Sequence, residues 1–360
     1  MDELKEQETQ AQQVQDTEVP LDKNLRLMSP GMMVVRRFFR SKLSILGLIM
    51  VIGLFLFSFV GPLFFADTTA DYSEAGKWGE TELDRSGKIE YSVNETTFTV
   101  NGVSYTIKQT TEKQVTDNFL QRPSGAHPLG TDDQGYDVLV RLMYGGRISL
   151  IVSFLAVFLM TIFGVIMGGL SGFFGGAVDT VIMRICDVLM CLPGIPILLI
   201  VGTALDNPDW GIDSKYRIYL LMTFLTFISW PGTARLVRGQ ILSLREQEFM
   251  VAAEAMGYST GRKIFKHLVP NVMPQLIVQM SLGLGSMILY EATLSYLNLG
   301  VRAPYAAWGT MINIITTNQD ILQNHWYVWV PAGVCIVIAV LGFNFVGDGL
   351  RDALDPKARR

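Results

Sequence analysis

Three cysteines and three histidines in 360 residues leave little material for metal or redox chemistry. Cys186, Cys191 and Cys335 all lie in apolar segments, and no framework of paired cysteines is visible. His127, His267 and His325 are far apart in sequence, so no metal cluster is indicated. No Gly-x-x-x-x-Gly-Lys-Ser/Thr phosphate loop occurs, and "GYSTGRK" does not satisfy it. Nucleophile elbows of the Gly-x-Ser-x-Gly kind and His-Glu-x-x-His zinc motifs are also missing. The chain is therefore expected to be no enzyme, with no catalytic, cofactor-binding or metal-binding residues of its own. Charge is scarce too: 17% of residues, against about a quarter in soluble domains. A net charge of -4 gives no pull toward nucleic acid. The first 24 residues are polar and acid-rich, unlike a secretory signal peptide.

What the chain has is long apolar runs. About 20 apolar residues span a bilayer core as a helix. Six candidate spans follow: Leu43 to Phe65, Ile148 to Val178, Val188 to Leu205 (starting near Thr180), Ile218 to Ala234, Leu268 to Tyr290, and Trp326 to Gly347. The glycines at 168, 169, 172, 175 and 176 read as a Gly-rich turn closing the second span. Pro193, Pro196 and Pro231 are expected to kink spans three and four. Arg184 and Asp187, three apart, are expected to pair with each other.

Lys and Arg in short flanks set orientation. Arg36, Arg37, Arg40 and Lys42 precede span one. Arg235, Arg238, Arg245, Arg262, Lys263 and Lys266 lie between spans four and five, and Arg351, Lys357, Arg359 and Arg360 follow span six. With six spans these regions share one side, which is then cytoplasmic. The expected layout is a cytoplasmic tail over 1–42, span one over 43–65, an external loop over 66–147, a core of spans two to six over 148–350, and a cytoplasmic tail over 351–360. In the external loop, "TTFTVNGVSYTI" alternates on both sides of Asn101-Gly102, which predicts a two-residue hairpin. "KIEYSV", Lys88 to Val93, is a candidate third strand. A flexible polar loop is the competing reading.

The stretch "REQEFMVAAEAMGYSTGRKIFKHLVPN", Arg245 to Asn271, lies between two spans and reads as two short helices. Gly257 is suited to end the first by taking positive φ. Ser259 is a candidate N-cap for the second, and Pro270 is expected to end it. Phe249, Ala252, Ala253 and Met256 fall on one helical face. From the residues alone, two readings stand: a helix lying on lipid headgroups, and a docking element for another protein. Glu291, which ends an uncharged run, is a candidate path or gate residue, because a membrane acid is a functional candidate by default. A carboxylate near the headgroups is the competing reading.

This loop resembles the cytoplasmic loop of ABC importer permeases, with a Glu-Ala-Ala, three residues, then Gly pattern. Ala252, Ala253 and Gly257 match it, while Val251 stands where that pattern usually has Glu. "HLVPN" (267–271), "HPLGTDDQGYDVLVRLMYGGRISL" (127–150), "LSYLNLGVRAPYAAWGTMI" (294–312) and "FNFVGDGLRDALDPKARR" (343–360) resemble segments of the C-type permeases of oligopeptide and dipeptide importers. Tyr136 replaces an Arg common in that signature. The resemblance covers most of the chain from residue 127 onward plus the first span. It implies an all-α polytopic membrane protein with six transmembrane helices, the type I ABC importer permease fold, carrying a small extracellular β-containing insertion between spans one and two.

The same resemblance implies half of a translocation pore in a bacterial plasma membrane. A homologous second permease would supply the other half. Two cytoplasmic ATPases, which hold ATP and Mg, would drive it, and an extracellular lipoprotein or periplasmic protein would deliver peptide. The coupling loop would be 243–270, with Glu248, Phe249, Ala252, Ala253, Glu254, Met256, Gly257 and Pro270 as its contact residues. Nickel or another small solute is the alternative cargo in the same branch. An ion-coupled secondary transporter is the alternative of a different class, and no clear internal repeat supports it. A membrane anchor for the β element is a third class, and it leaves the loop unexplained.

Overall fold

The computed structural model describes residues 30–65, 89–100, 103–114, 120–125, 127–206, 211–212, 214–301 and 305–354. Of the expected tails over 1–42 and 351–360, residues 1–29 and 355–360 lie outside them. The helices are α1 (Pro30–Phe38), α2 (Lys42–Phe64), α3 (Val138–Phe174), α4 (Gly176–Cys191), α5 (Gly194–Leu205), α6 (Ser214–Arg245), α7 (Glu248–Ala255), α8 (Thr260–Tyr296), α9 (Trp308–Thr317), α10 (Gln319–Asn324) and α11 (Trp326–Leu354). Five of these, α2, α3, α6, α8 and α11, are long and apolar enough to cross a membrane. The pair α4 and α5 qualifies only together, and it is bent by 79° at the break between them.

Several boundaries differ from the sequence reading. Helix α3 starts ten residues before Ile148, because Asp137 caps it: its carboxylate accepts from the Val140 N–H at 3.0 Å. Its glycines are not a turn. Gly168 and Gly172 are inside the helix, and only Gly175 and Gly176, at φ +64° and +54°, make the bend into α4. Arg235, Arg238 and Arg245, expected in a loop, belong to α6. Pro193 marks the 79° break, whereas Pro196 sits in the first turn of α5, where no N–H is needed. Pro231 stays inside the continuous α6. Asp187 accepts from Arg235 of α6 at 2.5 Å, and Arg184 lies 3.8 Å away on an exposed side. The expected Arg184–Asp187 pair is present, and Arg235 of α6 adds a closer, interhelical partner.

The hairpin is present as two strands, β1 (Ile89–Val100) and β2 (Val103–Gln114), paired antiparallel. Val100 opposite Val103 leaves the two positions of Asn101-Gly102 for the turn, and these lie outside the described residues. "IEYSV" is the first part of β1 rather than a third strand.

Close helix approach holds the bundle together. A Cβ on Gly164 would meet the Thr233 side chain at 2.5 Å, and one on Gly172 would meet the Arg238 carbonyl at 3.0 Å. The stripe Gly164, Gly168, Gly172, four apart, lets the backbones of α3 and α6 come nearly into contact, the small-residue mode of membrane helix packing. Polar pairs fasten the same seam: Arg238 of α6 grips Asp179 of α4 with two bonds of 2.5 and 2.6 Å, and the Ser171 hydroxyl donates to the same carboxylate.

Two neighbouring glycines separate these effects. A Cβ on Gly168 meets the Ala234 carbonyl at 2.3 Å, whereas one on Gly169 meets only a methyl of Ile241 at 3.8 Å. Gly168→Leu is expected to lower stability by about 3 kcal/mol or abolish assembly, and Gly169→Leu to be tolerated. Thermal unfolding of both variants in detergent, followed by size-exclusion chromatography, checks this.

Candidate functional site

The loop between α6 and α8 is short and firmly built. Arg245 ends α6 by donating to the Phe173 carbonyl of α3 at 3.2 Å. Two residues later α7 begins, and it ends in a complete Schellman motif. Tyr258 N–H donates to the Ala253 carbonyl at 3.1 Å, and Gly257 N–H donates to the Glu254 carbonyl at 2.9 Å. Gly257 has φ +68°, so the positive-φ expectation is met, and no atom lies within 4 Å of where its Cβ would be. Ser259 precedes the next helix with extended backbone, though its side chain makes no capping bond.

That next helix does not end at Pro270. It passes through a π turn, Lys263–Leu268, and continues to Tyr296. The wider turn is the physical reason. Val269 N–H reaches back five residues to the Ile264 carbonyl, so the ring of Pro270 follows a stretch already out of α register. The second helix of the pair is therefore the first two turns of α8, rigidly continuous with a membrane-length helix.

The face of α7 is also redrawn. Met250 and Ala253 are buried, and Met250 packs with Val237, Ile241, Leu268, Val272 and Leu276. Phe249, Ala252 and Met256 stay exposed at spacings of three and four, with Phe265 of α8 also exposed. Ala253 thus anchors α7 instead of sharing the outer face, and Met250, which the sequence reading passed over, does the same. The hydrophobic pattern alone could not choose, since α7 is apolar on both sides. Val251 is 62% exposed. Glu248 and Glu254 are exposed, and Glu254 lies 3.7 Å from Lys263 across the bend.

Glu291 lies in the last two turns of α8, beyond the expected end of span five at Tyr290, and it is fully buried. Its carboxylate accepts from the hydroxyls of Ser149 on α3 at 2.8 Å and Ser295 on α8 at 2.7 Å. Ser149 in turn accepts from the Trp308 N–H that opens α9, at 3.2 Å, and the Trp308 indole donates to the Leu142 carbonyl at 3.0 Å. A single carboxylate so joins three helices.

The segment before α3 is built the same way. Asp132 accepts from the N–H groups of Gln134 and Tyr136, each at 2.9 Å, and from the Arg141 guanidinium at 2.5 Å. That guanidinium lies 4.7 Å over the Tyr136 ring. His127 Nδ1 and Asp137 are 2.8 Å apart. These positions hold the "GTDDQGYD" turn closed, with Gly130 and Gly135 at positive φ. No group of three or more His, Cys, Asp or Glu able to hold a metal ion occurs among the described residues.

The Glu291 network gives a direct test. Glu291→Leu leaves two buried hydroxyls without their acceptor and is expected to cost about 2 to 3 kcal/mol. Glu291→Gln keeps one oxygen acceptor and is expected to cost less. Thermal melting of the purified variants measures the difference.

Comparison with known proteins extends the picture. The family described as "Binding-protein-dependent transport system inner membrane component" matches residues 160–360, and "N-terminal TM domain of oligopeptide transport permease C" matches residues 29–77. The oligopeptide transport system permease protein OppC of Bacillus subtilis is 41% identical over 243 residues, which is 68% of this chain and 76% of that protein. The dipeptide transport system permease protein DppC of Alkalihalophilus pseudofirmus is 42% identical over 246 residues, 67% of this chain and 76% of that one. OppC of Haemophilus influenzae is 32% identical over 324 residues, 90% of this chain and 88% of its own length. With the family match covering more than half of the chain, this protein belongs to the binding-protein-dependent transport system inner membrane components.

Proposed function

We propose that this chain is one of two membrane subunits of an ATP-driven importer of oligopeptides or dipeptides, forming half of its pore. The observation that carries the reading is α7: a short helix locked to the bundle by Met250 and Ala253, with an apolar outer row of Phe249, Ala252 and Met256. The peptide cargo rests on the relatives named as oligopeptide and dipeptide permeases. In this reading the outer row, with Glu248 and Glu254 beside it, docks on a cytoplasmic ATPase that supplies ATP and Mg. A homologous permease provides the other half of the pore, and a binding protein outside delivers the cargo.

The bent pair α4 and α5 counts as the third of six spans, which puts both termini in the cytoplasm and the β hairpin outside. Motion passes from the loop through two rigid paths. One runs up α6 to its crossing with α3, and the other is α8 itself, which starts at the loop and carries Glu291 near its far end. Glu291, by tying α3, α8 and α9 together, would gate the external end. A displacement of docked ATPases then tilts spans as bodies.

Gly257 tests the coupling. A Cβ there meets nothing, so the only cost of Gly257→Val is its left-handed backbone, roughly 1 to 2 kcal/mol. The variant is expected to insert and to pair with the partner permease. It should lose peptide uptake and ATPase binding to membranes, with Gly257→Asn milder. Normal uptake by Gly257→Val would remove the coupling role. Orientation is tested separately with single cysteines at Ser104 and Ser259 in a background without the native three. An impermeant reagent outside intact cells should modify position 104 only, and labelling of both would overturn the six-span layout.

A further inference from the structure

A cavity of about 380 Å³ lies among the turn before α3, the end of α8, helix α9 and the start of α11. That volume falls in the range of small-ligand pockets, roughly 300–1,000 Å³. Its walls are of two kinds. Val138, Val301, Met311, Ile314 and Val328 make an apolar side. Asp133, Gln134, Asn298, Asn313 and Thr317 supply polar groups, and Gln134, Asn298 and Thr317 are exposed, which puts the mouth among them.

Among the described residues that line it, the charges of this cavity do not balance. Asp132 and Arg141 pair at 2.5 Å, and both are buried, while Arg141 Nε has no hydrogen-bond partner among the described residues. Asp133, the neighbouring carboxylate, is half-buried against the same space and makes no ion pair among the described residues. Burial is the main cause that pushes its pKa up. Asp132 beside it pushes the same way, against a smaller pull from Arg141 and a backbone hydrogen bond. The folded protein therefore pays to keep Asp133 ionised, and a cation brought to it recovers that cost. A metal ion would want several oxygens arranged around it, yet Asp132 is already spent on Arg141 and two backbone N–H groups. An organic cation needs one carboxylate, polar neighbours to accept or donate, and apolar wall for its body.

We propose that this cavity binds the amino end of a short peptide, its ammonium group on Asp133 and its body against Val301, Met311 and Ile314. The inference rests on the peptide-permease reading and gives it a recognition site within this chain. Ser295 links the two, since it lines the cavity and also donates to Glu291. Occupancy of the cavity would thus be felt by the network that ties α3, α8 and α9.

The test uses the permease pair with its ATPases in nanodiscs, without the delivering protein, and radiolabelled trialanine in equilibrium dialysis. Saturable binding is expected, and N-acetyl-trialanine should not compete. Asp133→Asn should weaken binding at least about tenfold, the usual scale for losing a charged hydrogen bond. Asp133→Glu should retain it, which separates lost charge from misfolding. Thr317→Trp, which closes the mouth and leaves every charge in place, should abolish it. The proposal is overturned by equal binding in Asp133→Asn and the parent, by equal competition from the acetylated peptide, or by no saturable binding at all. Uptake of trialanine by the complete system is measured in parallel. Uptake without cavity binding sinks this inference alone, whereas absence of any peptide uptake sinks the functional reading beneath it as well.

Discussion

The crossing of α3 and α6 is the joint on which the rest depends. In lipid no hydrophobic force drives two apolar helices together, so their attraction rests on close packing and on polar pairs. Gly164, Gly168 and Gly172 remove the side chains that would hold the backbones apart. Arg238, through Asp179, and Arg235, through Asp187, then tie α6 to α4 on the flank of the same seam. Only Glu246 and Gln247 separate α6 from α7, so in the proposed coupling a moved loop helix would carry this joint with it. A looser crossing would let the loop shift alone, and the far ends of the helices would not follow.

Backbone hydrogen bonding sets a second limit. A membrane helix has no water to satisfy a stray carbonyl, so each departure from the α ladder needs a donor from elsewhere. Within α2 the ladder widens into a π turn at Leu56–Val60, and Arg147 of α3 answers it. Its Nε donates to the Ser58 carbonyl at 2.7 Å and its Nη2 to the Phe59 carbonyl at 3.0 Å. Arg217 does the same for the irregular segment after α8, donating to the Asn298 carbonyl at 3.0 Å while pairing with Asp206. Arg217 counts as a loop charge in the rule of topology, yet each of the two arginines closes a break in the backbone.

Much of this was legible in residue order. Apolar length marked the spans, Asn-Gly marked the hairpin, and Gly257 was identified as the end of a helix before any dihedral was known. What residue order concealed was partnership. Glycines read as a turn because nothing in a linear pattern says that a second helix presses on Gly168. Arg235 and Asp187 are 48 positions apart, so residue order shows only the nearer Arg184 of the two partners that Asp187 has. Pro270 looked like a stop because the rule assumes an α register, and the π turn ahead of it changes that register. The face of α7 was ambiguous for a similar reason: Met250 and Phe249 are both large and apolar, and only the site of the bundle decides which is inside.

The composition of that outer face bears on how it would work. Val251 stands where the loop pattern that this segment resembles usually has Glu, and it is 62% exposed beside Phe249, Ala252 and Met256. An acid there would offer a directional, salt-sensitive contact. Valine offers area instead, and burial of apolar area is non-directional, at about 25 cal/mol per Å². Direction must then come from elsewhere, and the geometry of the loop supplies it. The Schellman turn at Gly257 fixes the angle between α7 and the start of α8, and Met250 and Ala253 fix α7 to the bundle. A mostly apolar row, with only Glu248 and Glu254 beside it to steer by charge, is presented on an element that has almost no freedom to be steered wrongly.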